Sequence, residues 1–142
     1  MDWLPDAAIS MTAATLRVAA PLILAALGGL FSERAGVVNI ALEGKMLGAA
    51  FAAAATAVVT GSAWLGLAAG IGAAVALSMT HAVASVTYAG NQMVSGMAIN
   101  VVALGLTALL SNAWFKEGGR TPLLPETARF RPIVSLMNPN VT

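Results

Sequence analysis

Residues Ser32–Ala50 read SERAGVVNIALEGKMLGAA and separate two long apolar runs. Charge is sparse elsewhere in the first 113 residues, yet Glu33, Arg34, Glu43 and Lys45 all fall in this one stretch. Charge at membrane depth is costly unless paired or solvated. We therefore expect Glu33 to pair with Arg34, and Glu43 with Lys45. Gly36, Gly44 and Gly48 interrupt the segment, with Asn39 in its middle. Glycine allows a sharp turn or the close approach of another helix. Two readings follow: a polar connector with a bend, or a structured loop at the edge of a translocation pathway.

The flanks decide the fold class. The chain is 58% hydrophobic and 9% charged, with mean hydropathy +0.84. A soluble domain carries about 25% charged residues. This is the composition of an all-α integral membrane protein. At about 20 residues per span, the length suits about four transmembrane helices. Net charge is +1, without a basic stripe, which excludes nucleic acid as a partner. No cysteine is present, so disulfides, thiolate metal sites and cysteine nucleophiles are excluded. One histidine is too few for a histidine metal site. The N-terminus carries Asp2 and Asp6 and no basic residue, unlike a signal peptide. Trp3 and Pro5 suit an interfacial helix start.

Working outward, the spans fall at about 7–31, 39–60, 63–88 and 92–115, with 116–142 an extramembrane loop or tail. In the first span Pro21 removes a hydrogen bond to the carbonyl of Arg17, which predicts a kink. Arg17 either snorkels to the nearer interface or joins a buried ion pair. The second span is alanine-rich. Gly44-x-x-x-Gly48 there, and Gly66-x-x-x-Gly70 in the third span, mark small-residue helix packing. Ser78, His81, Ser85 and Tyr88 recur at helical spacing in the third span, with Trp64 and Tyr88 as interface anchors. Gln92, Gly96, Asn100, Thr107 and Ser111 do the same in the fourth. Such polar stripes form interhelical hydrogen bonds or line a wet path. From Lys116 on, Gly118-Gly119, Pro122, Pro125, Pro132 and Pro139 exclude a span, and apolar residues such as Leu124 and Phe130 expect something to lie against.

No catalytic constellation emerges. The G-x-x-x-x-G-K-[ST] phosphate loop is missing, and no serine–histidine–aspartate set is credible. No cofactor or metal is expected.

Thr15–Gly44, TLRVAAPLILAALGGLFSERAGVVNIALEG, resembles the start of ABC-importer permeases of the nucleoside and simple-sugar group, related to the branched-chain amino acid permeases. The family's E-R-x-G-x-x-N-x-x-x-E-G signature matches Glu33, Arg34, Gly36, Asn39, Glu43 and Gly44. Its N-Q-x-x-S-G-x-x-x-N segment matches Asn91, Gln92, Ser95, Gly96 and Asn100. Gly119-x-Thr121-Pro122 resembles the loop that follows. Lys45 departs from the pattern, standing where the family more often has an apolar residue. The chain reads as the N-terminal half of such a permease, a partial bundle that should not transport alone.

The resemblance implies alternating access in a bacterial inner membrane. ATP-binding subunits would drive the switch, a second permease subunit would complete the path, and an extracytoplasmic solute-binding protein would deliver the solute. Both ends of the chain would lie outside. Neutral hydrogen-bonding groups suit a nucleoside or sugar. The path candidates are Ser78, His81, Ser85, Gln92, Asn100 and Thr107; the motif residues are candidates for structure or coupling. The alternative is a stand-alone four-helix membrane protein, either a proton-coupled exporter or a structural subunit. The exporter would need a carboxylate deep in a span, and the sequence offers none.

Overall fold

The computed structural model describes residues 3–130. Of the expected tail, 131–142 lie outside the described residues. Helix α1 spans Trp3–Arg34, α2 Leu42–Thr60, α3 Ala63–Ala82 and α4 Gln92–Phe115. A π-helical turn, Val83–Thr87, continues α3, and a short 3-10 turn covers Glu126–Ala128. No strand occurs among the described residues. All four helices are long and apolar enough to cross a membrane. In hydrocarbon the backbone must satisfy its own hydrogen bonds, which leaves helices as the form such apolar runs take.

Local chemistry sets the boundaries. Gly61 ends α2 in the left-handed conformation, φ 67°, and its N–H bonds to the Ala57 carbonyl. Asn91 caps α4, its side-chain oxygen accepting from the N–H groups of Met93 at 3.0 Å and Val94 at 3.2 Å. α1 runs as one helix with Pro21 inside it. One boundary changes. α2 starts at Leu42 rather than Asn39, because the chain turns at Gly36, φ 81°, and stays non-helical to Ala41.

α2 is the centre of the bundle and packs against both α3 and α4, which also meet each other. Small residues make the α2–α3 seam. A Cβ built on Gly66 would lie 2.7 Å from the Ala53 carbonyl oxygen and 2.8 Å from the Ala57 Cβ. One on Gly70 would lie 3.0 Å from the Ala53 Cβ. Backbones approach this closely only where side chains are missing. α1 stands outside the bundle, with no buried residue in its span. It nears α2 at Gly29, where a Cβ would meet Leu42 at 3.3 Å. Arg17 is exposed, without an ion pair among the described residues.

Alternating helix directions gather residues 35–41 and 88–91 at one end. The α2–α3 turn and the loop after α4 occupy the other. That loop folds back over the bundle, where Phe130 meets Trp64 edge-to-face at 5.3 Å and Ala128 is buried.

Candidate functional site

Residues 35–41 connect α1 to α2, and their backbone has no helix to satisfy it. α4 supplies the partners. Gln92 Oε1 accepts from the Val38 N–H at 2.7 Å, and Gln92 Nε2 donates to the Gly36 carbonyl at 3.5 Å. Two turns on, Asn100 Oδ1 accepts from the Gly44 N–H at 2.8 Å and Nδ2 donates to the Ile40 carbonyl at 3.0 Å. Each primary amide thus offers one acceptor and one donor to the main chain. Gly96 lies between them, and a Cβ there would press on the Ile40 Cβ at 3.1 Å and the Ala41 nitrogen at 3.2 Å. Gly44 closes the contact from the other side: its Cβ would fall 2.7 Å from Asn100 Oδ1 and 2.8 Å from the Asn100 Cα. Two amide arms and two bare glycines therefore latch the connector to α4. Ser32 closes the turn beneath it, its hydroxyl donating to the Val37 carbonyl at 2.8 Å.

The expected ion pairs do not form. Glu33, Arg34 and Glu43 are exposed and make no salt bridge among the described residues. Neighbours one apart on a helix do not face each other, which separates Glu33 from Arg34. Glu43 and Lys45, two apart at 3.6 residues per turn, lie on nearly opposite faces of α2. Lys45 takes the buried face, 8% exposed, and donates from Nζ to Asn39 Oδ1 at 2.8 Å. Asn39 lies in the connector, so this bond is a third tie on the same segment.

The α3 stripe divides. His81 is buried and its Nδ1 lies 3.1 Å from Ser95 Oγ on α4. Ser85 is buried in the π turn, whereas Ser78 and Tyr88 are exposed. On α4, Thr107 is half-buried and donates to the Leu104 carbonyl at 3.1 Å. It borders an apolar groove of about 400 Å³ between α3 and α4, floored by α2 at Phe51, Ala55 and Thr56. Phe51 and Trp114 stack at its edge, centroids 6.2 Å apart. Ser111 is 1% exposed, its hydroxyl seated between the carbonyls of Glu117 and Arg120, which fastens the loop after α4.

The structure thus joins Gly36 to Gln92 and Gly44 to Asn100, sets Gly96 against Ile40 and Ala41, ties Asn39 to Lys45, and brings Ser95 to His81. It leaves Glu33, Arg34 and Glu43 facing outward. The sequence reading missed that Gly36, Val38, Ile40 and Gly44 take part through their main chain. The signal was present: irregular backbone at membrane depth must find partners inside the protein.

The family described as the permease component of branched-chain amino acid transport systems matches residues 11–134. That range contains both halves of the latch. The chain belongs to this family. It is 44% identical over 119 residues to the guanosine ABC transporter permease protein NupQ of Bacillus subtilis, covering 80% of this chain and 37% of the relative. It is 38% identical over 104 residues to the nucleoside ABC transporter permease protein NupC of Lactococcus lactis, covering 69% of this chain and 33% of that one. The chain spans about a third of the length of these curated relatives. No solved structure matches it.

Proposed function

We propose that this permease chain is part of the transmembrane subunit of an ATP-driven importer and forms part of the path for a nucleoside or simple-sugar-like solute by alternating access. The observation that carries the reading is the kinship to guanosine and nucleoside permeases over a range that includes the whole connector latch. Its partners are ATP-binding subunits, a second permease subunit and an extracytoplasmic solute-binding protein. ATP hydrolysis belongs to the ATP-binding subunit.

Of the path candidates, Ser78 and Thr107 have side chains on exposed or groove-facing surfaces that a solute can reach. His81 and Ser85 are enclosed between helices. Gln92 and Asn100 act on the path by fixing the connector. Glu33, Arg34 and Glu43, exposed at the connector end, are candidates for coupling to the ATP-binding subunit.

The test is ATP-driven uptake by the intact permease, reconstituted with its ATP-binding and solute-binding partners, with labelled guanosine and labelled hexose offered separately. Saturable uptake of either supports the reading; uptake of neither refutes it. Orientation is tested with cysteine placed at Ser32 or Thr127. An impermeant thiol reagent added outside should label the second and spare the first.

A further inference from the structure

His81 and Ser85 are 3% and 6% exposed, yet His81 Nε2 and Ser85 Oγ are buried without a hydrogen-bond partner in the protein. Several hydroxyls in these helices satisfy themselves. Thr12, Thr15, Thr60 and Thr80 each donate to the carbonyl four residues back, at 2.7 to 3.0 Å. Ser85 does not, and it lies buried in the π turn. π turns interrupt the regular helical ladder and gather at functional positions. Both side chains lie on the α3 segment that packs against α4, where Ser95 already engages the other nitrogen of His81.

We propose that His81 Nε2 and Ser85 Oγ hold an internal water molecule between α3 and α4. Buried polar groups are almost always partnered, and a buried water typically makes two to four such bonds. Water fits either tautomer of the imidazole. If Ser95 donates to Nδ1, Nε2–H donates to the water; if Nδ1–H donates to Ser95, Nε2 accepts from it. In both cases the Ser85 hydroxyl supplies the complementary role. The water continues the line from the π turn through His81 and Ser95 to the start of α4, beside the latch. His81 and Ser85 are then positioning residues that join two helices, not solute ligands.

Hydroxyl-radical footprinting of the intact permease in nanodiscs tests this, with His81 read by mass spectrometry. A bound water predicts that His81 is oxidised several-fold faster than the buried Ile99, and that ¹⁸O from H₂¹⁸O enters the product only after a lag. Ser85→Ala should lower His81 oxidation several-fold, while the exposed control Ser78→Ala should not. An unmodified His81 means a dry contact and overturns the proposal. Immediate ¹⁸O incorporation means open solvent; it also overturns the proposal, and would instead return His81 to the solute path. If Ser85→Ala does not fold, the wild-type rate and lag decide alone.

Discussion

The α2–α3 seam and the α4 latch hold the same central helix by different means. At the seam Gly66 and Gly70 sit on the backbone and methyl groups of Ala53 and Ala57, and no polar side chain takes part. At the latch glycines also meet backbone, but amide side chains add four hydrogen bonds to the main chain. The difference follows from what each contact holds. Two complete helices have no spare backbone groups, so packing suffices. The connector has left the helical ladder and carries donors and acceptors that must be met. Small residues place helices here; amides place the chain where it stops being a helix.

The sharpest way to break this contrast is to fill the seam. Gly66→Leu drives a side chain into the Ala53 carbonyl, which cannot rotate away. Overpacking costs about 1–3 kcal/mol where side chains can yield, so this contact with backbone should reach the top of that range or pass it. We expect the folded, monodisperse fraction of the intact permease to collapse on size-exclusion chromatography. Near-normal recovery would show that the seam is looser than its geometry.

Asn100→Ala should come next. It strands the Gly44 N–H and the Ile40 carbonyl, at about 1–2 kcal/mol for the pair. A thermal midpoint lowered by several degrees, with the subunit still folded, is the expected outcome. Asn100→Asp sharpens the test, because it keeps the acceptor for Gly44 but sets a second oxygen against the Ile40 carbonyl and brings charge between the helices; it should cost at least as much as Asn100→Ala. Gln92→Ala should cost about half what Asn100→Ala does, since its second bond is long at 3.5 Å and it is less enclosed. Both amides act on one connector, so the double variant should not be additive. Strict additivity would mean that they hold independent segments.

Much of this was legible in the sequence. Four apolar runs gave four helices, and α4 begins after the Asn91 cap and ends where Lys116 turns left-handed. Gly66 and Gly70 announced the seam by spacing alone. The latch was half legible. Asn100 was recognised as needing a partner, but a side chain's own sequence does not name that partner, and a main-chain group carries no sequence signature. Lys45 was misassigned for a related reason. Glu43 is its near neighbour along the chain, yet helical rotation turns the two apart and brings Lys45 to Asn39 instead. The division of the α3 stripe was hidden too, because a π turn is invisible to a 3.6-residue count.

The smallest expected effect lies at the opposite end, where Ser111 holds the loop after α4. Its hydroxyl meets the carbonyls of Glu117 and Arg120, so it also ties side chain to main chain, as Asn100 does. The setting differs. Glu117 is half-buried and Arg120 exposed, with an ion pair between them at 2.9 Å on the surface. Water can therefore replace the lost hydroxyl, and Ser111→Ala should cost about 0.5–1 kcal/mol or less. The loop should open rather than the bundle. We expect limited proteolysis between 116 and 130 to speed up a few-fold while the thermal midpoint stays within a degree or so of wild type. A fall in midpoint equal to that of Asn100→Ala would mean that the loop is as integral to the bundle as the connector. The contrast between a connector latched along a helix and a loop fastened at one point would then be lost.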